Sequence, residues 1–176
     1  MTYLTDADGL LIIPDSETLL ELNIKDRADI KSLPMLSVAT SISVEGCTSL
    51  AYINAPAALD VYVDSCAYLT SIRAPVATHI SVYSCPSLVH INTPSVKRIN
   101  VYHCGAVPHI DAPAATNVSV INGTALTHIN APVAREIHVY DCPSLVHIYA
   151  PSATFVYRSN CISLKHIDAP LDTFGT

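Results

Sequence analysis

A unit of nineteen residues repeats six times without a gap between Cys47 and Asn160 of this 176-residue chain. It follows approximately the pattern C-x-S-L-x-H-I-x-A-P-x-A-x-x-I-x-V-Y-x, and the cysteine is position one. The copies begin at Cys47, Cys66, Cys85, Cys104, Gly123 and Cys142, and a shortened seventh copy begins at Cys161. A fixed short period predicts a solenoid, because each unit can bury its apolar side only by stacking on its neighbours.

Two extended segments are predicted in every unit. Positions fifteen to eighteen alternate apolar and polar residues, as in Ile80-Ser81-Val82-Tyr83, which is typical of a half-buried strand. Positions six to nine, as in His90-Ile91-Asn92-Thr93, are also extended and end at a proline in every copy. Few residues remain for a helix, so we predict an all-β, nearly helix-free solenoid whose parallel strands stack about 4.8 Å apart.

The repeat frame defines the domain organisation. The apolar pattern extends upstream to Leu19 with one extra residue near Val38, which gives about eight parallel coils over residues 19–160. Residues 1–18 are predicted to form an N-terminal cap, with a hairpin turn at Asp8-Gly9. Residues 161–176 form a partial terminal coil, so the whole chain, 1–176, is one repeat domain. A weaker period of thirty-eight residues, carried by threonines at position thirteen, suggests an ancestral duplication of two coils.

Composition limits the classes of partner. Half of the residues are apolar and 14% are charged, which suits one continuous core. The net charge of −6 offers no electrostatic attraction for nucleic acid or an anionic membrane. The apolar run Leu10-Leu11-Ile12-Ile13 is too short for a signal segment or a membrane span. We therefore expect a cytoplasmic protein, with secretion by a non-classical route as the alternative.

The repeat resembles those of leucine-rich repeat proteins. The stretch from Ala134 to Leu145 reads A-x-x-I-x-V-x-x-C-x-x-L, and the phrase from Cys142 to Pro151 is similar to that of BspA-like bacterial repeats. The brevity of the unit resembles the short repeats of YopM-like secreted effectors. The resemblance covers about residues 19–170 and implies protein binding without catalysis. Leucine-rich repeats usually have about 20 to 29 residues, so this shorter unit predicts a weakly curved stack.

Six cysteines, one in each of six coils, form the first candidate column. In the resembled family this position faces inward, where a reduced cysteine acts as a small apolar residue. We predict a buried column of thiols. Partial disulfide pairing between neighbouring coils and metal binding remain open alternatives.

Histidines at position six form a second candidate column: His90, His109, His128, His147 and His166. They alternate with buried isoleucines, so they are expected to point outward with imidazoles roughly 5 Å apart. Stacking with hydrogen bonds along the column is the simplest interpretation. A transition-metal strip is an alternative because imidazole binds such metals, and pH sensing is another because charging neighbouring imidazoles loosens a stack.

The outward side of the main strands is the predicted binding face. Its side chains vary between coils while the inner positions stay nearly constant, and tyrosine, arginine and histidine are common in interfaces. The candidate binding residues are Tyr62, His79, Tyr83, Arg98, Asn100, Tyr102, His103, Glu136, His138 and Tyr140.

No motif for nucleophilic catalysis, phosphate binding or a catalytic metal is present in the sequence. We therefore expect a non-enzymatic scaffold, without a cofactor, that binds an unidentified protein, with a bacterial effector or inhibitor as one candidate role. The alternative is an assembly or adhesion module of a microbial or viral surface structure. The short terminal coil also suggests homo-oligomerisation through an open C-terminal strand edge.

Overall fold

The structure, a computed structural model, describes residues 4–13 and 19–170 and the backbone of residues 174–175. Over these residues the chain forms a β-solenoid and contains no helix. Parallel strands recur about every nineteen residues, as the repeat predicts. The all-β solenoid prediction is therefore confirmed.

One face of the solenoid is a nine-stranded parallel sheet, here called the main sheet. Its strands are β3 (Glu21–Lys25), β4 (Ser41–Glu45), β6 (Asp60–Asp64), β8 (His79–Tyr83), β10 (Arg98–Tyr102), β12 (Asn117–Ile121), β14 (Glu136–Tyr140), β16 (Phe155–Ser159) and β18 (Phe174–Gly175). Eight of these strands were predicted. The ninth, β18, pairs Val156 with Phe174, an offset of eighteen residues that breaks the repeat frame. The pairing of Glu21 with Ser41 confirms one extra residue in the first coil.

Shorter strands form the opposite face, and they are divided between two sheets. The first sheet contains β5 (Tyr52–Asn54), β7 (Ser71–Arg73) and β9 (His90–Asn92). The second contains β11 (His109–Asp111), β13 (His128–Asn130), β15 (His147–Tyr149) and β17 (His166–Asp168). The predicted extended segments are confirmed, but their stack is interrupted between β9 and β11.

The core lies between the two faces and is built from the inward positions of each coil. In the coil from Cys66 to Ser84 the inward residues are Cys66, Leu69, Ile72, Ala74, Ala77, Ile80 and Val82, each no more than 1% exposed. Burial of one large aliphatic side chain contributes about 1.5–3 kcal/mol. Because like residues stack on like, this contribution repeats from coil to coil along the solenoid.

A left-handed residue follows each of the eight longer main strands. Position nineteen has φ between 51° and 57° in seven coils and 65° at Gly46. The seven others are Asp26, Ser65, Ser84, His103, Asn122, Asp141 and Asn160. This conformation turns the chain sharply out of the strand, and it favours glycine, asparagine and aspartate.

The alternating threonines have a structural role. The Thr78 hydroxyl donates a hydrogen bond to the Leu59 carbonyl of the preceding coil at 3.2 Å, and Thr116 bonds the Lys97 carbonyl at 3.1 Å. The same carbonyl of Leu59 also accepts the amide of Thr78. The thirty-eight-residue period therefore places an additional hydrogen bond at every second coil junction.

The predicted N-terminal hairpin is present. Strand β1 (Leu4–Thr5) pairs antiparallel with β2 (Leu11–Ile12), and Gly9 in the turn has φ of 83°. The Leu11 amide donates to the Ser32 carbonyl at 3.0 Å, and the Leu11 side chain is buried. The hairpin thus covers the first coil on the side of the short strands. The remainder of the predicted cap, at residues 1–3 and 14–18, lies outside the described residues.

Candidate functional site

The structure places the predicted binding residues on the outward side of the main sheet. Strand register aligns Tyr83 with Tyr102, and Arg98 with His79. His138 stands beside Ser119, and Tyr140 beside Ile121. Of the ten candidates, six surround one shallow depression: Arg98, Asn100, Tyr102, Glu136, His138 and Tyr140. Tyr62, His79 and Tyr83 lie on earlier coils, and His103 occupies a left-handed turn beyond its strand.

Two aromatic clusters flank the depression. In the first, the ring of Tyr83 lies 5.6 Å from Tyr62 and 5.2 Å from Tyr102, measured between centroids. In the second, Tyr140 lies 4.9 Å from Tyr157, and His138 lies 5.5 Å from Phe155. Such tilted and edge-on pairs hold the rings in place. The face therefore presents rigid aromatic area on both sides of the central coil.

Strand β12 forms the floor of the depression, whose volume is about 640 Å³. Ser119 and Ile121 are smaller than the aromatic residues in the adjoining coils. The Tyr102 hydroxyl lies 2.9 Å from the Ser119 hydroxyl, and the Asn117 amide donates to Glu136 at 2.8 Å. Sequence reasoning placed these β12 residues outward but did not include them in the site. The sequence did contain a signal for the depression, because Ser119 is smaller than Asn100 and His138, which hold the same position in the two adjacent coils.

The outward positions of strands β3 to β16 carry more negative than positive charge. The acidic residues are Glu21, Glu45, Asp60, Asp64 and Glu136, and the basic residues are Lys25 and Arg98. Lys25 pairs with Glu45 at 2.8 Å, and the His79 imidazole lies 3.1 Å from Asp60. Partial burial, with Asp64 and Glu45 nearby, raises the pKa of Tyr62. This part of the face therefore favours positive charge on a partner.

The histidine column differs from the prediction. His109, His128, His147 and His166 stand in register on one continuous sheet, but His90 belongs to the other sheet. Ring centroids are 6.1 Å apart for His128 and His147 and 6.2 Å apart for His147 and His166, with the rings edge-on. The expected spacing of roughly 5 Å is too short because the imidazoles turn edge to face. Within residues 4–13 and 19–170, no group of three or more histidine, cysteine or acidic residues is arranged to hold a metal ion.

The cysteine column is buried as predicted. All six cysteines are free thiols, and only Cys161, in the last coil, is partly exposed. The Cys85 sulfur lies 3.2 Å from the Tyr83 carbonyl, a contact that recurs in the other coils. Burial raises the pKa of Cys47 to about 11. In contrast, the neighbouring Cys142 thiol lowers the pKa of Cys161.

Comparison of the chain with protein-family models, curated proteins and solved structures finds no match. The resemblance to leucine-rich repeats thus remains a prediction from the repeat motifs, whereas the solenoid follows from the strand pairing. None of the described residues belongs to a helix long and apolar enough to span a membrane.

Proposed function

We propose that this protein is a non-enzymatic scaffold that binds another protein through the outward face of its main sheet. The observation that carries the proposal is the depression over β12 between two ordered aromatic clusters. Inner residues are nearly constant from coil to coil, whereas the residues around this depression differ in each coil. Variable outward residues over a nearly constant interior are typical of a surface that is adapted to a partner.

The geometry of the face suits binding by pre-organised side chains. Strands β10, β12 and β14 around the depression are each held on both sides by ladder hydrogen bonds, and the tyrosines contact one another before any partner arrives. Little conformational entropy is lost when such rigid aromatic residues are buried. Arg98 and His138 border the same depression and supply polar contacts around its apolar parts.

Charge favours one kind of partner. Asp60 and Asp64 flank the exposed Tyr62, and Glu136 borders the depression. A partner with a basic surface and one projecting apolar or aromatic side chain would complement these groups. The partner is therefore expected to bind more weakly as ionic strength increases, because exposed charges are screened within about 10 Å at 0.1 M salt.

Filling the depression tests the proposal. Ser119→Arg adds a long side chain at the floor, and we expect capture of the partner by the immobilised protein to fall at least about tenfold, since central interface positions dominate affinity. Asn23→Arg is the matched control, because Asn23 holds the same position sixteen on β3, at the far edge of the sheet and outside the depression. Crosslinking followed by mass spectrometry identifies the captured protein.

Two results would contradict protein binding at this face. One is recovery of no specific protein by the wild-type bait under low and moderate salt. The other is equal capture by the Ser119→Arg and Asn23→Arg variants with unchanged melting temperatures. Tyr83→Ala is a poorer test, because it removes two ring contacts and so reduces stability by about 1 kcal/mol or more.

An assembly module is the second candidate, and the last coil favours it. Leu164 and Ile167 occupy core positions but are only partly buried, and Ile162 is 86% exposed. Apolar area of this kind suits contact with another copy of the chain. Light scattering across a wide concentration range tests this, and a monomer at every concentration would reject it.

A further inference from the structure

The face opposite the main sheet contains a gap in its hydrogen-bond ladder between β9 and β11. In the neighbouring coils the position-nine amides of Ala74 and Ala112 donate to the carbonyls of Asn92 and Asn130 in the next coil. Thr93 is the equivalent residue in the coil between them, and its amide makes no such bond. No backbone hydrogen bond joins strands β9 and β11 in the part of the chain that the structure describes.

Departures from the repeat at three positions explain the gap. Pro108 occupies position five, where Thr70 and Val89 use their amides for the ladder, and proline has no amide hydrogen. Thr93 and Val96 stand where the other coils have alanine. These larger buried side chains hold the two coils apart on this side.

The gap forms a cleft of about 360 Å³, whose lining includes His90, Asn92, Thr93, His109 and Asp111. Thr93 is 2% exposed, and its hydroxyl has no hydrogen-bond partner. A buried hydroxyl without a partner is unfavourable, and a native structure rarely keeps one without a reason. Ile91, which also lines the cleft, is only partly buried, whereas its equivalents Ile72 and Ile110 are buried.

We propose that this cleft binds a small neutral polyhydroxylated ligand of one or two sugar rings. The facing edges of β9 and β11 offer peptide donors and acceptors together, and a sugar hydroxyl can satisfy either kind. Asn92 and Asp111 supply further polar atoms, and Pro94 and Ile91 form an apolar wall for the C–H side of a ring. Asp111 is the one acidic residue in the lining, which contains no lysine or arginine, so an anionic ligand would be repelled.

The volume of the cleft agrees with this ligand class. About 360 Å³ is the volume that about twelve water molecules occupy in the liquid, at about 30 Å³ each. It also lies at the lower end of the range for small-molecule sites, about 300–1,000 Å³. A ligand of this size would replace several ordered waters and reach the donors and acceptors of both strands.

Titration of the ¹⁵N-labelled full chain with glucose, galactose and maltose, each to about 100 mM, tests the proposal. At these concentrations, binding is measurable even for a sugar whose dissociation constant is above about 1 mM. At least one sugar is expected to give saturable shifts of the Thr93, His109 and Asp111 amides. Linear shifts without saturation, no shift, or saturable shifts confined to another face would overturn it.

A variant that reverts all three departures supplies the structural test. Thr93→Ala, Val96→Ala and Pro108→Thr together restore the residues of neighbouring coils, so β9 is expected to pair with β11 and close the cleft. Sugar affinity should then fall at least about tenfold, the loss expected for about one or two hydrogen bonds. If this triple variant folds with its ladder restored and binds sugar as the wild type does, the proposal is wrong.

Single variants keep the test valid if the triple variant does not fold. His90→Ala removes a lining side chain that is exposed, and it should weaken sugar binding at least about fivefold. His147→Ala is the matched control, because His147 holds the same position on the continuous sheet and lies outside the cleft. Equal affinity of the two variants would also overturn the proposal. Protein binding by the main sheet is a separate property and is unaffected by either outcome.

Discussion

Position nineteen illustrates how one residue per coil determines the path of the chain. Each of seven non-glycine residues at this position has φ of 51–57°, and Gly46 has 65°. A residue with a Cβ atom pays about 1–2 kcal/mol in this region. Asparagine and aspartate reduce the cost by local hydrogen bonding. Members of the column also bond to one another between coils, as where Asn160 donates to Asp141 at 2.7 Å. Serine is less suited to this conformation than asparagine or aspartate.

Replacement of Ser84 by glycine should therefore stabilise the protein. The backbone at Ser84 has φ of 51°, so glycine removes the steric cost but adds conformational entropy to the unfolded chain. We expect the free energy of unfolding to increase by about 0.5–1 kcal/mol. Urea denaturation followed by circular dichroism measures this change.

Two further substitutions control the effect of glycine itself. Ser43→Gly lies inside strand β4 and should reduce stability by about 0.5–1 kcal/mol. Gly46→Ala should also be destabilising, because the added Cβ would meet the carboxylate and backbone of Asp26. If Ser84→Gly lowered stability as Ser43→Gly does, the strain attributed to position nineteen would be absent.

At the scale of the strand, most of the correct predictions come from the alternation of apolar and polar residues. Ile80 and Val82 are buried and Ser81 lies outward, as the period of two requires. Strand β18 could not be predicted, because Phe174 pairs one residue out of the repeat frame. The left-handed turns could not be recognised either, since position nineteen varies among polar residues without a constant motif.

The depression over β12 and the cleft beside β9 both depend on contacts between coils, which explains why the sequence did not predict them. The depression over β12 results from the size of Ser119 relative to side chains on both neighbouring strands. The cleft beside β9 results from Pro108 in one coil and Thr93 in the coil before it. Each residue was visible as a departure from the repeat, but its effect arises only when the two coils are stacked.

The cysteine column leads to a prediction about reactivity along the stack. Cys161 is partly exposed, and the neighbouring Cys142 thiol lowers its pKa, so a larger fraction of Cys161 than of the buried cysteines is thiolate at pH 8. Cys47 is buried with a pKa of about 11, so it stays protonated until the pH rises through that value. We expect iodoacetamide to modify Cys161 at least about tenfold faster than Cys47 at pH 8, as measured by peptide mass spectrometry.

Cys161→Ala provides the control for this labelling experiment. It should remove the fast reaction and leave the labelling rate of Cys47 unchanged. In urea all six thiols should react at similar rates, because unfolding removes both the burial and the influence of Cys142 on Cys161. Equal rates for Cys47 and Cys161 in the folded protein would contradict the assigned environments.

The whole solenoid gains its stability from contacts between adjacent coils, so the weakest junction limits its cooperativity. The junction between β9 and β11 keeps its main-sheet ladder, with Arg98 opposite Asn117, but lacks the ladder on the other face. Other junctions on the short-strand side from β5 to β17 are paired. The chain should therefore consist of two cooperative units that meet at the cleft.

Paired core substitutions test this division. Leu69→Ala and Leu145→Ala remove the same buried side chain at position four, on opposite sides of the cleft, and each should cost about 2–5 kcal/mol. Hydrogen exchange in Leu145→Ala should accelerate mainly in β12, β14 and β16, while β6 and β8 keep their protection. Leu69→Ala should give the reverse pattern. Equal acceleration of exchange throughout the main sheet in both variants would show a single cooperative unit. The missing ladder on the short-strand face would then be too small a loss of contacts to uncouple the two adjacent coils.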